Sequence, residues 1–160
     1  MSVLTMEEAA EKTRRARQNG QTTVTTNGCF DLLHVGHVRY LRHARSLGDL
    51  LIVGVNSDES VRRLKGSPRP FLPAEERAEL IAALKPVTSA VVFEEDAPIA
   101  MIEALRPDIH VKGGDYSIDQ IIEREAVERG GGRVVLAPHI ETRSTTEIAA
   151  AIRSPRQAKK

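Results

Sequence analysis

The chain has 160 residues, 41% of them hydrophobic and 28% charged, with a formal net charge of +1. That length suits one domain with a real core, and the near-neutral charge excludes a global pull toward nucleic acid or an anionic membrane. A single cysteine, Cys29, excludes an internal disulfide framework. With no signal-peptide core and no apolar run near the roughly 18–20 residues of a membrane span, the expectation is a cytoplasmic protein.

Thr5-Met6-Glu7-Glu8 has capping-box spacing and predicts a helix over 6–17. An apolar, β-branched run predicts a strand over 22–26, and a helical pattern follows over 35–47, stopping at Gly48. A strand over 50–56 and a helix over 58–65 come next, the helix ending at Gly66. Residues 66–73 hold three prolines and Arg69, which predicts a mobile loop. Then come a helix over 74–84 after Pro73, a strand over 90–93, and a helix over 97–105 with Pro98 in its first turn. A strand over 109–112, a helix over 119–129 stopped by Gly130, a strand over 133–136 and a helix over 145–152 complete the pattern. Residues 154–160 read as a basic, disordered tail, leaving a single domain over 1–153.

Five short strands, nearly continuous in apolar character, alternate with helices. The predicted fold is an α/β, Rossmann-like doubly wound sandwich with a five-stranded parallel sheet and helices on both faces. Such sheets bind ligands beyond the carboxyl ends of their strands. The residues there are 27–31, 57–58, 94–96, 113–116 and 137–146, and most of the unusual polar chemistry falls in these five places.

The densest is Thr26 to His37, which contains His34-Val35-Gly36-His37. Chance gives an H-x-G-H in roughly one chain in a hundred of this composition. A helix start offers unpaired N–H groups and the positive end of the macrodipole to phosphate. His34 and His37 can share one face of the first turn, while Gly28 and Gly36 allow close approach of a ligand. Two other readings stay open: a solvent-facing histidine pair, and a metal site built from Asp31, His34 and His37. Cys29 reads as a small buried side chain, since nothing marks a base for it.

Arg143-Ser144-Thr145-Thr146-Glu147 opens the last helix either as a cap or as an anion nest. Lys112 closes a buried strand before Gly113-Gly114-Asp115-Tyr116, an awkward place for a charge without a partner; the segment reads either as a structural turn or, as we prefer, as a phosphate-binding lysine with glycines beside it. Lys65 suits either a helix C-terminus or a closing flap over phosphate. G-x-x-x-x-G-K-[ST] and G-x-G-x-x-G are both absent, which disfavours a P-loop enzyme and a dinucleotide dehydrogenase. His43, His110 and His139 lack companions and read as structural or surface residues.

At these residues the chain resembles the nucleotidyltransferase superfamily that carries H-x-G-H, and within it the cytidylyltransferase-like branch. Class I aminoacyl-tRNA synthetases share the signature, but this chain is far too short and lacks their lysine-rich second motif. The match spans residues 22–150 and is closest to adenylyltransferases that make ADP-heptose from D-glycero-β-D-manno-heptose 1-phosphate. Residues 26–41, 51–58, Arg69-Pro70 with Glu76-Arg77, 111–116 and 143–146 carry it. Glycerol-3-phosphate cytidylyltransferases resemble the first block, but usually place Gly-Ile where Thr142-Arg143 stands here.

The resemblance implies in-line attack of a sugar 1-phosphate on the α-phosphate of ATP. His34, His37, Lys65 and Lys112 would serve the chemistry. Asn27, Gly28, Phe30, Gly36, Gly113, Arg143, Ser144, Thr145 and Thr146 would bind the nucleotide, and Asp31, Asn56, Asp58, Asp115 and Tyr116 the sugar. Mg²⁺ would ride on the ATP phosphates, with no metal ligands from the protein. The resemblance also implies a homodimer, with a separate heptose kinase and phosphatase acting upstream; in many bacteria this domain is fused to a sugar kinase. CTP or GTP, other small phosphate acceptors, a non-catalytic nucleotide-binding regulator and a metal-binding module remain alternatives.

Overall fold

The computed structural model describes residues 2–113, 117–138 and 145–153. Its strands are β1 (Ser2–Val3), β2 (Thr23–Gly28), β3 (Leu50–Asn56), β4 (Ser89–Phe93), β5 (Ile109–Lys112) and β6 (Arg133–Leu136). Its helices are α1 (Met6–Gln18), α2 (Val35–Ser46), α3 (Asp58–Lys65), α4 (Ala74–Ala82), α5 (Ile99–Leu105), α6 (Arg124–Arg129) and α7 (Thr145–Arg153), with a 3-10 turn at Ile118–Gln120. The strands form one sheet in the order β1-β4-β3-β2-β5-β6, and every pairing is parallel.

The expected doubly wound sheet is present, with six strands rather than five. The extra strand, β1, pairs only two residues with β4, too few for any periodicity to reveal. β2 runs to Gly28 rather than ending at Thr26, because Asn27 and Gly28 still pair with Gly54 and Val55. The helix expected over 119–129 is interrupted: Ile121 takes extended dihedrals between the 3-10 turn and α6. Pro73 and Pro98 sit at N-caps, one position before the first turns they were expected to occupy.

Alternation along β3 shows why the sheet is covered on both sides. Leu51, Val53 and Val55 join the cluster built with Leu41 and Ala44 of α2 and Ala78 and Ile81 of α4. Ile52 faces the opposite cluster with Ala9 of α1, Met101, Ile102 and Leu105 of α5 and Val127 of α6. Gly54 lies on that second face, where an added Cβ would fall 2.5 Å from Met101 Sδ. The period of two thus sends one set of apolar side chains to each helix layer. At the first helix the capping box forms as read: Glu8 N donates to Thr5 Oγ1 at 3.2 Å and Thr5 N to Glu8 Oε2 at 2.8 Å. Among the described residues no helix is long and apolar enough to cross a membrane.

The strand order reverses direction between β2 and β5, its switch point. Chain crossings leave that seam open at the carboxyl ends of the strands, so Asn27-Gly28 and Lys112-Gly113 face the same mouth.

Candidate active site

α2 begins at this seam. His34 is its N-cap and His37 completes its first turn, so the helical spacing stacks the two rings, with centroids 3.8 Å apart. His34 N donates a long hydrogen bond of 3.4 Å to His37 Nδ1. That acceptor role leaves the ring proton of neutral His37 on Nε2, where it can donate to a ligand. Phe30 adopts a left-handed φ of 47° and is buried. Its ring meets His37 edge-on at 5.2 Å, and a Cβ on Gly28 would press within 3.1 Å of it. A strained residue held by packing fixes the histidine rather than leaving it to rotate.

Burial, helped by the neighbouring His34, pushes the His37 pKa down to about 4, and burial also lowers that of His34. Both rings are therefore neutral at pH 7. In an NMR titration the His37 ring is expected to titrate near 4, well below the ordinary 6.5. Between those values the unfolded chain binds more protons than the folded one. The stabilising contribution of neutral His37 is thus full above pH 6.5 and is lost as pH falls through about 4. A ring titrating near 6.5 would show that the packing seen here does not hold it.

Asp31, a candidate for sugar binding, has partners within the protein itself. It is buried, with Oδ2 paired to Arg69 Nη1 at 2.5 Å and Oδ1 accepting from Phe71 N at 2.6 Å and Leu72 N at 3.3 Å. The second half of the loop expected to be mobile is therefore fastened to the site, and Arg69 also lies 4.4 Å over the Phe71 ring. With Asp31 committed, the Asp31–His34–His37 metal reading loses a ligand. Among the described residues no group of three His, Cys, Asp or Glu can hold a metal ion.

Asn56 is likewise buried, its Nδ2 donating to Ser60 Oγ at 3.0 Å and Glu95 O at 3.4 Å. It braces β3 against the loop after β4. Asp58 accepts from Arg77 Nη2 at 2.6 Å but keeps 30% of its side chain exposed.

Arg77 was read only as part of a resemblance; the structure makes it a hub, fully buried beneath the site loops. Cys29, whose carbonyl accepts from it, has its thiol pKa raised by burial, against the lowering effect of Lys65 and Arg77. The side chain is half-buried rather than buried as read from the sequence, and a raised thiol pKa keeps it protonated near neutral pH, which disfavours a nucleophile.

Lys112 reaches across the seam. Its Nζ donates to Asn27 Oδ1 at 2.9 Å and forms an ion pair with Glu123. The partner that a buried-strand lysine requires is thus a glutamate the sequence did not single out. Thr145, the first residue of α7, donates from Oγ1 to Leu32 O at 3.2 Å. That bond seats the start of α7 against the loop leading into α2. Thr146 is exposed in the same turn, and Lys65 is exposed at the end of α3. Gly113 is open, with nothing near a notional Cβ. Asp115, Tyr116, His139, Arg143 and Ser144 lie outside the described residues.

A family model described as cytidylyltransferase-like matches residues 25–154. The chain is 56% identical over 140 residues to Bifunctional protein HldE of Geobacter sulfurreducens, covering 88% of this chain and 28% of that protein. It is 48% identical over 146 residues to Bifunctional protein HldE of Koribacter versatilis, covering 91% and 30%. The chain spans less than a third of the length of these relatives. The crystal structure of the lipopolysaccharide core biosynthesis protein from Thermoplasma volcanium GSS1 is similar, with a TM-score of 0.66 and 31% identity over 76% of this chain and 100% of that one.

Proposed function

The chain belongs to the cytidylyltransferase-like family of nucleotidyltransferases, and from that premise we propose that it transfers AMP from ATP to D-glycero-β-D-manno-heptose 1-phosphate. The single observation that best supports a polyphosphate substrate is the Thr145–Leu32 hydrogen bond, which sets two helix starts side by side at the switch point. The relatives named bifunctional are matched over less than a third of their length, which supports assigning this stretch one activity.

In the proposed reaction an oxygen of the sugar phosphate attacks the α-phosphorus of ATP. The bond from that phosphorus to the bridging oxygen breaks, and pyrophosphate leaves with the electron pair. No covalent enzyme intermediate is required, so positioning and charge stabilisation carry the catalysis. Neutral His37 donates from Nε2 toward the oxygens on which charge grows, and His34 stacks against it. Lys112 neutralises the α-phosphate from the opposite side of the seam. Magnesium, when bound on the ATP phosphates, would supply further charge neutralisation, held by ligand oxygens and water.

The test is a matrix of the four nucleoside triphosphates against several sugar 1-phosphates and glycerol 3-phosphate, with pyrophosphate as readout. ATP with the heptose 1-phosphate is the expected pair. Turnover with CTP or GTP alone would sink the adenylyl assignment. Nucleotide binding with no pyrophosphate from any pair would favour a regulator.

Two mutations probe the parts. Lys65 ends α3 beside an exposed stretch of loop, so its contact with phosphate is expected to form mainly when substrates are bound. Lys65→Ala should lower kcat more than it weakens ATP binding; equal losses would place Lys65 in a rigid ground-state site. Arg143→Ala should weaken ATP binding about ten- to a hundredfold, the worth of a charge-assisted contact to the β- and γ-phosphates, and leave AMP nearly untouched. Equal losses for ATP and AMP, compared by calorimetry, would move Arg143 away from the pyrophosphate end.

A further inference from the structure

We propose that Glu123 is a positioning residue for nucleotidyl transfer: its buried carboxylate holds the Lys112 ammonium across the seam between β5 and β2, where the α-phosphate binds. The inference rests on the reaction proposed above but concerns a residue outside every motif read in the sequence.

The geometry begins with the broken helix. Because Ile121 is extended, Glu123 becomes the N-cap of α6 and its side chain turns inward, leaving 4% exposed. There it meets Lys112, whose side chain keeps 16% exposure. A lysine side chain has many rotamers, and one at a strand end would otherwise extend into solvent. Two anchors on different elements, Glu123 and Asn27 Oδ1, leave little freedom in where the ammonium lies.

Beside Glu123 lies His110, fully buried on β5, with Nε2 3.4 Å from Glu123 Oε1 and Nδ1 2.9 Å from Thr25 Oγ1 on β2. Burial lowers the His110 pKa, so the ring is neutral and does not compete with Lys112 for the carboxylate. For Glu123, burial alone would raise the carboxyl, but His110 and Lys112 together carry it down to about 2. The carboxylate is thus ionised at any working pH. The line Thr25–His110–Glu123–Lys112–Asn27 starts and ends on β2, so it ties a charge on β5 back to the strand that leads to His34 and His37.

A purely structural ion pair predicts a loss of stability and nothing more. A positioning role predicts that the effect of Glu123 passes through Lys112. The test is a double-mutant cycle of Glu123→Gln and Lys112→Met, read by kcat with the best substrate pair, by AMP affinity in calorimetry and by thermal melting. Glu123→Gln is expected to lower kcat about tenfold and AMP affinity about threefold. In the Lys112→Met background the same change should alter each by less than about twofold. Equal losses in both backgrounds, or normal kcat and AMP affinity in Glu123→Gln, would overturn the proposal. Should Glu123→Gln fail to fold, Glu123→Asp keeps the charge, shortens its reach and takes its place in the cycle. If the wild-type protein releases no pyrophosphate with any pair, the reaction proposed above fails. The AMP arm then decides this inference by itself: coupled losses keep Glu123 as the residue that aims Lys112, and uncoupled ones reject it.

Discussion

His37→Ala is expected to lower kcat about 10²–10³-fold, the range for losing one preorganised donor, while keeping the fold and most ATP affinity. The size follows from where the proton sits. His37 Nδ1 accepts from His34 N, so Nε2 carries the hydrogen, and the ring is neutral because burial pushes its pKa to about 4. Charge on the bridging oxygen and departing pyrophosphate grows as the bond breaks, so a fixed donor aimed there favours the transition state over bound ATP. The packing of Phe30 and His34 means that no reorientation is needed during reaction. His37→Asn, which retains an N–H donor, should recover part of the loss if hydrogen bonding is the role; if proton transfer is the role, it should be as poor as alanine. Single-turnover measurement separates chemistry from product release. Near-normal kcat in the alanine variant would remove His37 from the reaction.

The parts of this molecule that were legible in the sequence share a cause: they are set by neighbours within a few residues. The helix read over 58–65 coincides with α3, and the histidine pair lands on one helical turn because four-residue geometry requires it. What escaped depended on partners far along the chain. Asp31 and Asn56 follow or end strands, where ligand-facing polar groups are expected, but Asp31 meets Arg69 and Asn56 meets the carbonyl of Glu95. A strand-end carboxylate looks the same in sequence whether it awaits a sugar or a loop about forty residues away. β1 escaped because two residues carry no pattern. The break at Ile121 escaped because the pull on Glu123 comes from Lys112 and His110 on another strand. Arg77 did leave a signal: it shares the buried face of α4 with Ala74, Ala78 and Ile81, a position where a charge requires partners.

Those partners make Arg77 the site of the largest expected loss of stability. Its Nε donates to Leu72 O at 2.9 Å, Nη1 to Cys29 O at 2.6 Å and Asn56 O at 2.8 Å, and Nη2 to Asp58 Oδ1 at 2.6 Å. One planar fork thus ties the loop after β2, the end of β3, the start of α3 and the turn into α4, with no exposure to water. Removing it leaves three carbonyls and a carboxylate without their donor. Breaking a buried charged contact of this kind costs about 3–5 kcal/mol, a large share of the about 5–15 kcal/mol that holds a domain together. Arg77→Met, which keeps much of the volume, is therefore expected to lower the melting temperature by roughly 10 °C. Arg77→Lys should fare little better, because a single ammonium cannot span the fork. Asp58→Asn, which alters one contact of a carboxylate that is 30% exposed, should cost about 1 kcal/mol or less. Urea denaturation of the four proteins gives the comparison, with an unchanged slope confirming that the native state and not the unfolded chain has changed. A cost for Arg77→Met no greater than that for Asp58→Asn would show that the loops around the histidines hold their shape without it.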